Sequence, residues 1–192
     1  MKERGLIYGF GINDDPTSTK ILYKDSIYTR WQGMIMRCYS EKFKETRPTY
    51  EHATVCEEWK YYSNFRDWCR LQNHEGNHTD KDLLVKGNTV YSPETVCFIP
   101  PELNTFFTDR KRFTSVAVGV REQSGGRFYA RIMNPFTGKR ENLGTFDNMF
   151  SAAEAWRERK KELAYQWATL LEERGYDEKI IVALKERYDV FF

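Results

Sequence analysis

Residues 115–175 carry the feature that most constrains the fold. Three short segments of alternating apolar and polar residues, SVAVGVREQ, GGRFYARIMNP and KRENLGTFD, precede one long amphipathic run, SAAEAWRERKKELAYQWATLLEERG. SGG and FTG separate the segments, and glycine there supplies the positive φ that a tight hairpin needs. The pattern predicts a three-stranded antiparallel meander. A sheet this small is unstable until one side is packed. The following run supplies the cover, with Ala152, Ala155, Trp156, Leu163 and Trp167 as its apolar stripe. Ser151 and Glu154 fit an SxxE capping box at its start. Gly175 fits its end, and DEKIIVALKERYDVFF predicts a last amphipathic helix from near Asp177.

Upstream the periodicity is helical first. Asp25 or Ser26 can cap a helix through SIYTRWQGMIMRCYS, and CEEWKYYSNFRDWCRLQ repeats Trp59, Tyr62, Phe65 and Cys69 at helical spacing. Large aromatics at that spacing read as core. After NHEGNH the runs KDLLV, TVYSPET and VCFIP look like strands around a KGN turn, and Pro101 fits the first turn of a helix through PELNTFFTDRKR. The expected class is therefore α+β, with a helical and β-turn-β-helix unit over 1–110 and a sheet-plus-helix unit with a C-terminal helix over 111–192.

Forty per cent of the 192 residues are hydrophobic and 30% charged, which excludes wholesale disorder. No apolar run approaches the roughly 20 residues of a membrane span, and the N-terminus holds no secretory apolar stretch. A soluble, cytoplasmic protein is expected. Cys38, Cys56, Cys69 and Cys97 form no CxxC pair, which argues for reduced core thiols over a zinc knuckle. Charge is uneven along the chain: residues 110–146 carry net +6 and the remainder −4. Such a basic segment is either a polyanion-binding face or a solvated strand surface. Alternation places Arg127, Tyr129 and Arg131 opposite Phe128, Ala130 and Ile132. If the helix covers the apolar side, the cationic side stays open and can enter a DNA major groove, arginines reading guanine edges and neighbouring cations holding phosphates. Arg112, Arg121, Arg127, Tyr129, Arg131, Lys139 and Arg140 are the candidate contacts to duplex DNA.

The segments GVREQSGGRFYARI and GKRENLGTFDNMFSAAEAW, with the helix after them, resemble the integrase-like, APETALA/ethylene-response-type DNA-binding domain found at the C-termini of many phage and homing endonucleases; the likeness covers about residues 114–168. It implies sequence-preferring binding to duplex DNA through the sheet.

PETVCFIPPELN is similar to the second half of the HNH (ββα-metal) nuclease motif, and YGFGIND, WQGMIMRCYSEKF and DKDLLVKGNTVYSPETVCFIP resemble a group of phage-encoded HNH-like proteins. The resemblance implies a phage protein working in a bacterial cytoplasm, a ββα-metal-like N-terminal unit, and hydrolysis of a phosphodiester with Mg²⁺ or another divalent cation. It places Asn104 at the helix ligand position. Where the family has Asp-His this chain has Asp80-Lys81, and lysine is a cation at neutral pH. Asn88 is the candidate hairpin asparagine, with Tyr91 as the other. Two readings follow. In one, Asp80, Asp82 and Asn104 bind the metal, Lys81 and Asn88 occupy the catalytic positions, and His78 or His74 serves as the base. In the other, the hairpin is scaffold in a DNA-binding or inhibitory protein that has lost catalysis, with a protein partner open to it.

Overall fold

The computed structural model describes residues 5–108 and 117–189. The chain divides into two compact units, Met1–Ile99 and Pro100–Phe192, and the architecture is mixed α+β as expected. No helix among the described residues is long and apolar enough to cross a membrane.

In the first unit the order is α1 (Thr19–Leu22), α2 (Ser26–Tyr39), α3 (Glu41–Thr46), β1 (Thr54–Val55), α4 (Tyr62–Arg70), β2 (His78–Asp80), β3 (Val90–Tyr91) and β4 (Cys97–Ile99). Asp25 starts α2, its Oδ1 accepting the Ile27 N–H at 2.7 Å. The face made by Ile27, Tyr28, Trp31, Met34, Ile35 and Cys38 is buried. Trp31 anchors it: its ring is fully buried and its Nε1 donates to the Trp59 carbonyl at 2.7 Å, so the indole costs no orphaned donor. Tyr62 meets Tyr28 edge-on at 5.0 Å, and Val55, Phe65, Tyr91, Val96 and Phe98 complete the core. The aromatics that repeat at helical spacing are thus core residues.

Two expectations are corrected here. The run from Cys56 to Gln72 is not one helix but a 3₁₀ turn, Glu57–Lys60, followed by α4, with Tyr61 extended between them. The N-terminal segment causes the break, because Ile12 N donates to the Lys60 carbonyl at 2.8 Å and Tyr62 N to the Ile12 carbonyl at 3.0 Å. Asp14 then supplies the cap, accepting the Ser63 N–H at 2.9 Å. The strands also move. KDLLV is not extended as a strand; β2 ends at Asp80 and pairs antiparallel with β4, His78 opposite Ile99 and Asp80 opposite Cys97. Asp80 stops the strand, its Oδ1 accepting the N–H groups of Asp82 (2.9 Å) and Leu83 (2.7 Å). Val90–Tyr91 pairs in parallel with Thr54–Val55, not across the KGN turn.

The second unit holds α5 (Pro101–Phe106), β5 (Val120–Gln123), β6 (Arg127–Met133), β7 (Arg140–Phe146), α6 (Met149–Glu173) and α7 (Glu178–Asp189). The three strands form an antiparallel meander in the order β5-β6-β7, with Val120 opposite Ala130 and Ala130 opposite Gly144. Val120, Ala130 and Ala152 have no exposure at all, and Phe128, Leu143, Phe146 and Ala153 pack around them. The alanines of α6 thus seat the helix on the sheet.

The start of α6 is a further correction: Asn148, not Ser151, is the cap, its Oδ1 accepting the Ser151 N–H at 2.8 Å. Asn148 is extended while Ser151 already lies inside the helix, so the SxxE box has no cap position to fill. Gly175, at φ +71, closes α6 with a Schellman turn in which Tyr176 N donates to Leu171 O at 3.0 Å. α7 then packs on α6 through Ile180, Ile181, Leu184 and Tyr188, all buried.

Candidate nucleic-acid interface

The strand pleat sorts residues onto two sides, and the register extends that sorting across all three strands. Arg121 and Gln123 on β5 stand opposite Tyr129 and Arg127 on β6. Across the other seam, Tyr129 faces Thr145, Arg131 faces Asn142 and Met133 faces Arg140. These residues share the side of the sheet away from α6, and each is exposed or half-buried. Arg121, Arg127, Arg131 and Arg140 therefore lie on one face around Tyr129, with Lys139 in the adjoining turn. Arg112 lies outside the described residues.

The bulge in β7 keeps this face polar. Register shifts between Ala130 and Arg131, so Leu143 is the extra residue on β7 and joins the core under α6. Gly144 makes the shift at φ +125, its N–H bound by Asn142 Oδ1 at 2.9 Å. A side chain there would press on the Phe146 ring at 3.3 Å.

Two features that the sequence reading missed hold the face still. Asn134 is buried in the β6–β7 turn, its Oδ1 accepting from Phe136 N at 2.8 Å and its Nδ2 donating to Glu141 Oε1 at 2.6 Å. The Asn-Pro-x-Thr-Gly spelling of that turn was the available signal. Glu141 also accepts from Arg159 on α6, Nε to Oε2 at 2.7 Å and Nη2 to Oε1 at 3.1 Å. The Arg159 guanidinium, then the Asn134 amide, holds the Glu141 carboxyl down to about 2. This fork ties β7 to the covering helix.

The face cations themselves are sparsely paired. Arg127 meets Asp147 at 3.4 Å and the Thr145 carbonyl at 3.3 Å. Among the described residues, Arg121, Arg131, Lys139 and Arg140 make no ion pair, so their charge is presented outward and uncompensated.

The hairpin of the first unit is built differently. Lys81 is mostly buried, and its Nζ lies 2.5 Å from Asp82 Oδ1 and 2.9 Å from the Asn88 carbonyl. Asn88 returns the contact: its Nδ2 donates to the carbonyls of Lys81 (2.9 Å) and Val90 (2.6 Å), and its Oδ1 accepts the Val90 N–H. With the Asp80 turn, these side chains knit the loop from Lys81 to Val90. His78 is exposed on β2. His74 stands edge-on to Phe98 with ring centres 6.2 Å apart. Tyr91 is buried in the core beneath Arg37, and burial raises its hydroxyl. Asn104 lies on α5, in the second unit. Among the described residues no group of three or more His, Cys, Asp or Glu is placed to hold a metal ion. Cys38 and Cys69 are buried thiols, raised by that burial to about 11 and about 12.

No protein-family model matches the chain, and no solved structure matches it. The chain is similar to an ethylene-responsive transcription factor of Arabidopsis thaliana, 50% identical over 44 residues. That stretch is 23% of this chain and 13% of the relative. A three-stranded antiparallel sheet packed on a helix agrees with the ethylene-response-type likeness, and the likeness to that part of the relative is the one these comparisons support.

Proposed function

We propose that the second unit binds duplex DNA through the open face of β5, β6 and β7, and that the first unit's hairpin is scaffold. The observation that carries this reading is the segregation of the sheet, with four arginines and Tyr129 on one side and an alanine-lined helix sealing the other. Four residues of strand separate Arg127 from Arg131, roughly 13 Å, which is about four base-pair steps at 3.4 Å each. A pleated ribbon of that reach fits a major groove. Arg121 and Arg131 would meet base edges, while Lys139 and Arg140, at the turn, would hold phosphates. The transcription-factor relative supports the same reading.

Hydrolysis with Mg²⁺ has less to support it. A divalent cation needs oxygen ligands open to it, but Asp80 Oδ1 is spent on two backbone N–H groups and an ammonium already sits on Asp82. The donor set does not fit the metal. The Lys81 Nζ is engaged by the Asp82 carboxylate and the Asn88 carbonyl, and fold likeness alone transfers no activity.

The test is fluorescence anisotropy with a mixed-sequence duplex over a range of salt. Arg121→Ala and Arg131→Ala should each weaken binding about tenfold, and Arg140→Ala should lower the salt slope by about one. Unchanged affinity in the first two ends the proposal. In a plasmid-nicking assay the protein should show no Mg²⁺-dependent cleavage; cleavage abolished by Asp82→Ala and Asn104→Ala would replace the scaffold reading with the hydrolytic one.

A further inference from the structure

Arg127 differs from the other arginines of the open face because the protein already grips one edge of it. Its Nε meets Asp147 Oδ1 at 3.4 Å and its Nη2 donates to the Thr145 carbonyl at 3.3 Å. Asp147 reaches Arg127 at Nε, on the side edge of the guanidinium. The terminal edge, formed by Nη1 and Nη2, offers the parallel pair of N–H donors that matches two acceptors at once. Asp147 itself is 91% exposed, so its charge lies in the solvent layer that a bound duplex would occupy. Asn148, not Asp147, is the residue whose side chain caps α6.

We propose that Asp147 is a positioning residue for DNA recognition: it pins Arg127 by its side edge and repels phosphate from it, so that the terminal fork is reserved for a neutral base edge. The inference rests on the DNA-binding reading above. An anionic phosphate oxygen beside Arg127 would also lie beside the Asp147 carboxylate, and like charges in contact disfavour that arrangement. The acceptor pair of a base, such as guanine O6 and N7, carries no net charge and takes the same fork without that penalty. Sequence discrimination arises here partly by exclusion.

The experiment compares wild type, Asp147→Asn, Arg127→Ala and the double variant, each titrated at several salt concentrations against a duplex pool with a randomised core. Asp147→Glu serves as the conservative control. Asp147→Asn should tighten pool binding about two- to five-fold, steepen the salt slope by up to about one, and lose one position of base preference when the pool is enriched. Asp147→Glu should restore all three. In the Arg127→Ala background the asparagine should change none of them, which is the signature of action through Arg127. Asp147→Asn behaving as wild type overturns the inference. So does an equal gain in the Arg127→Ala background, which would reduce Asp147 to one more surface charge. If Arg121→Ala and Arg131→Ala bind the pool as wild type does, the DNA-binding reading fails on its own account.

Discussion

Glu141 shows how one residue can couple a turn, a strand and a helix. Its carboxylate receives Arg159 from α6 and Asn134 from the β6–β7 turn, and those donors lower its pKa from the usual 4.5 to about 2. A carboxyl whose folded-state pKa is depressed stabilises the fold fully above its unfolded value and loses that contribution as pH falls toward the folded one. Glu141→Gln should therefore lower stability at neutral pH, by roughly 1–2 kcal/mol for a fork that is only partly buried. The gap between the two proteins should hold above about pH 4.5 and close as pH falls toward 2. Urea unfolding midpoints at neutral and acid pH measure it; a gap that persists unchanged at low pH would remove the charge from the explanation. Asn134 and Arg159 were invisible as partners in the sequence because each lies on a different element from Glu141, the one in a turn and the other on a helix.

Among the elements, the turn leading into β5 meets the covering helix closely at Gly119. The residue sits at φ +71, and a Cβ there would run into the Trp156 ring and lie 2.9 Å from the Arg131 carbonyl. Gly125 and Gly126 have similar dihedrals, φ +80 and +72, but open space around them, since they form only the β5–β6 turn. The contrast separates strain from packing. Gly125→Ala should cost about 1–2 kcal/mol for the left-handed backbone alone, whereas Gly119→Ala should cost about 2–4 kcal/mol because overpacking is added. Equal losses in denaturant unfolding would contradict the close approach. SGG was readable as a turn from its neighbours alone. Gly119, in contrast, looked like one more residue of a strand, because its constraint comes from a tryptophan 37 positions away.

On the scale of the whole molecule, α5 is built into the second unit by residues that come much later in the chain. Lys160 is 5% exposed, its Nζ lies 3.8 Å above the Phe106 ring centre, and it donates to the Phe106 carbonyl at 2.5 Å. Tyr188 of α7 packs against Phe106 from a ring distance of 5.8 Å. A fragment starting at Pro100 should thus unfold at higher temperature than one starting at residue 111. Losing the Phe106 contacts and stranding a buried ammonium should cost about 2–4 kcal/mol. Identical thermal unfolding of the two fragments would show that α5 contributes nothing to that unit.

The α+β class, the three-stranded meander, the side on which Arg127, Tyr129 and Arg131 stand and the helix that follows were all determined by the sequence alone. Each depends on near neighbours: the two-residue strand repeat, the helical repeat, and glycine at turns. Long-range contacts decided the rest. Pairing with Ile12 breaks the helix at Tyr61, β1 takes β3 as a parallel neighbour, and Lys160, in the middle of an apolar stripe, is buried over Phe106. The Asp80-Lys81-Asp82 triplet is a different case, because its partners are near neighbours in the chain. Its residue types suit a metal, but Asn88 and the loop's own N–H groups engage them first. A side chain's chemistry is set by the partners that reach it in space, and for the helix break, the parallel strand pair and Lys160 those partners lie too far along the chain for any local pattern to announce them.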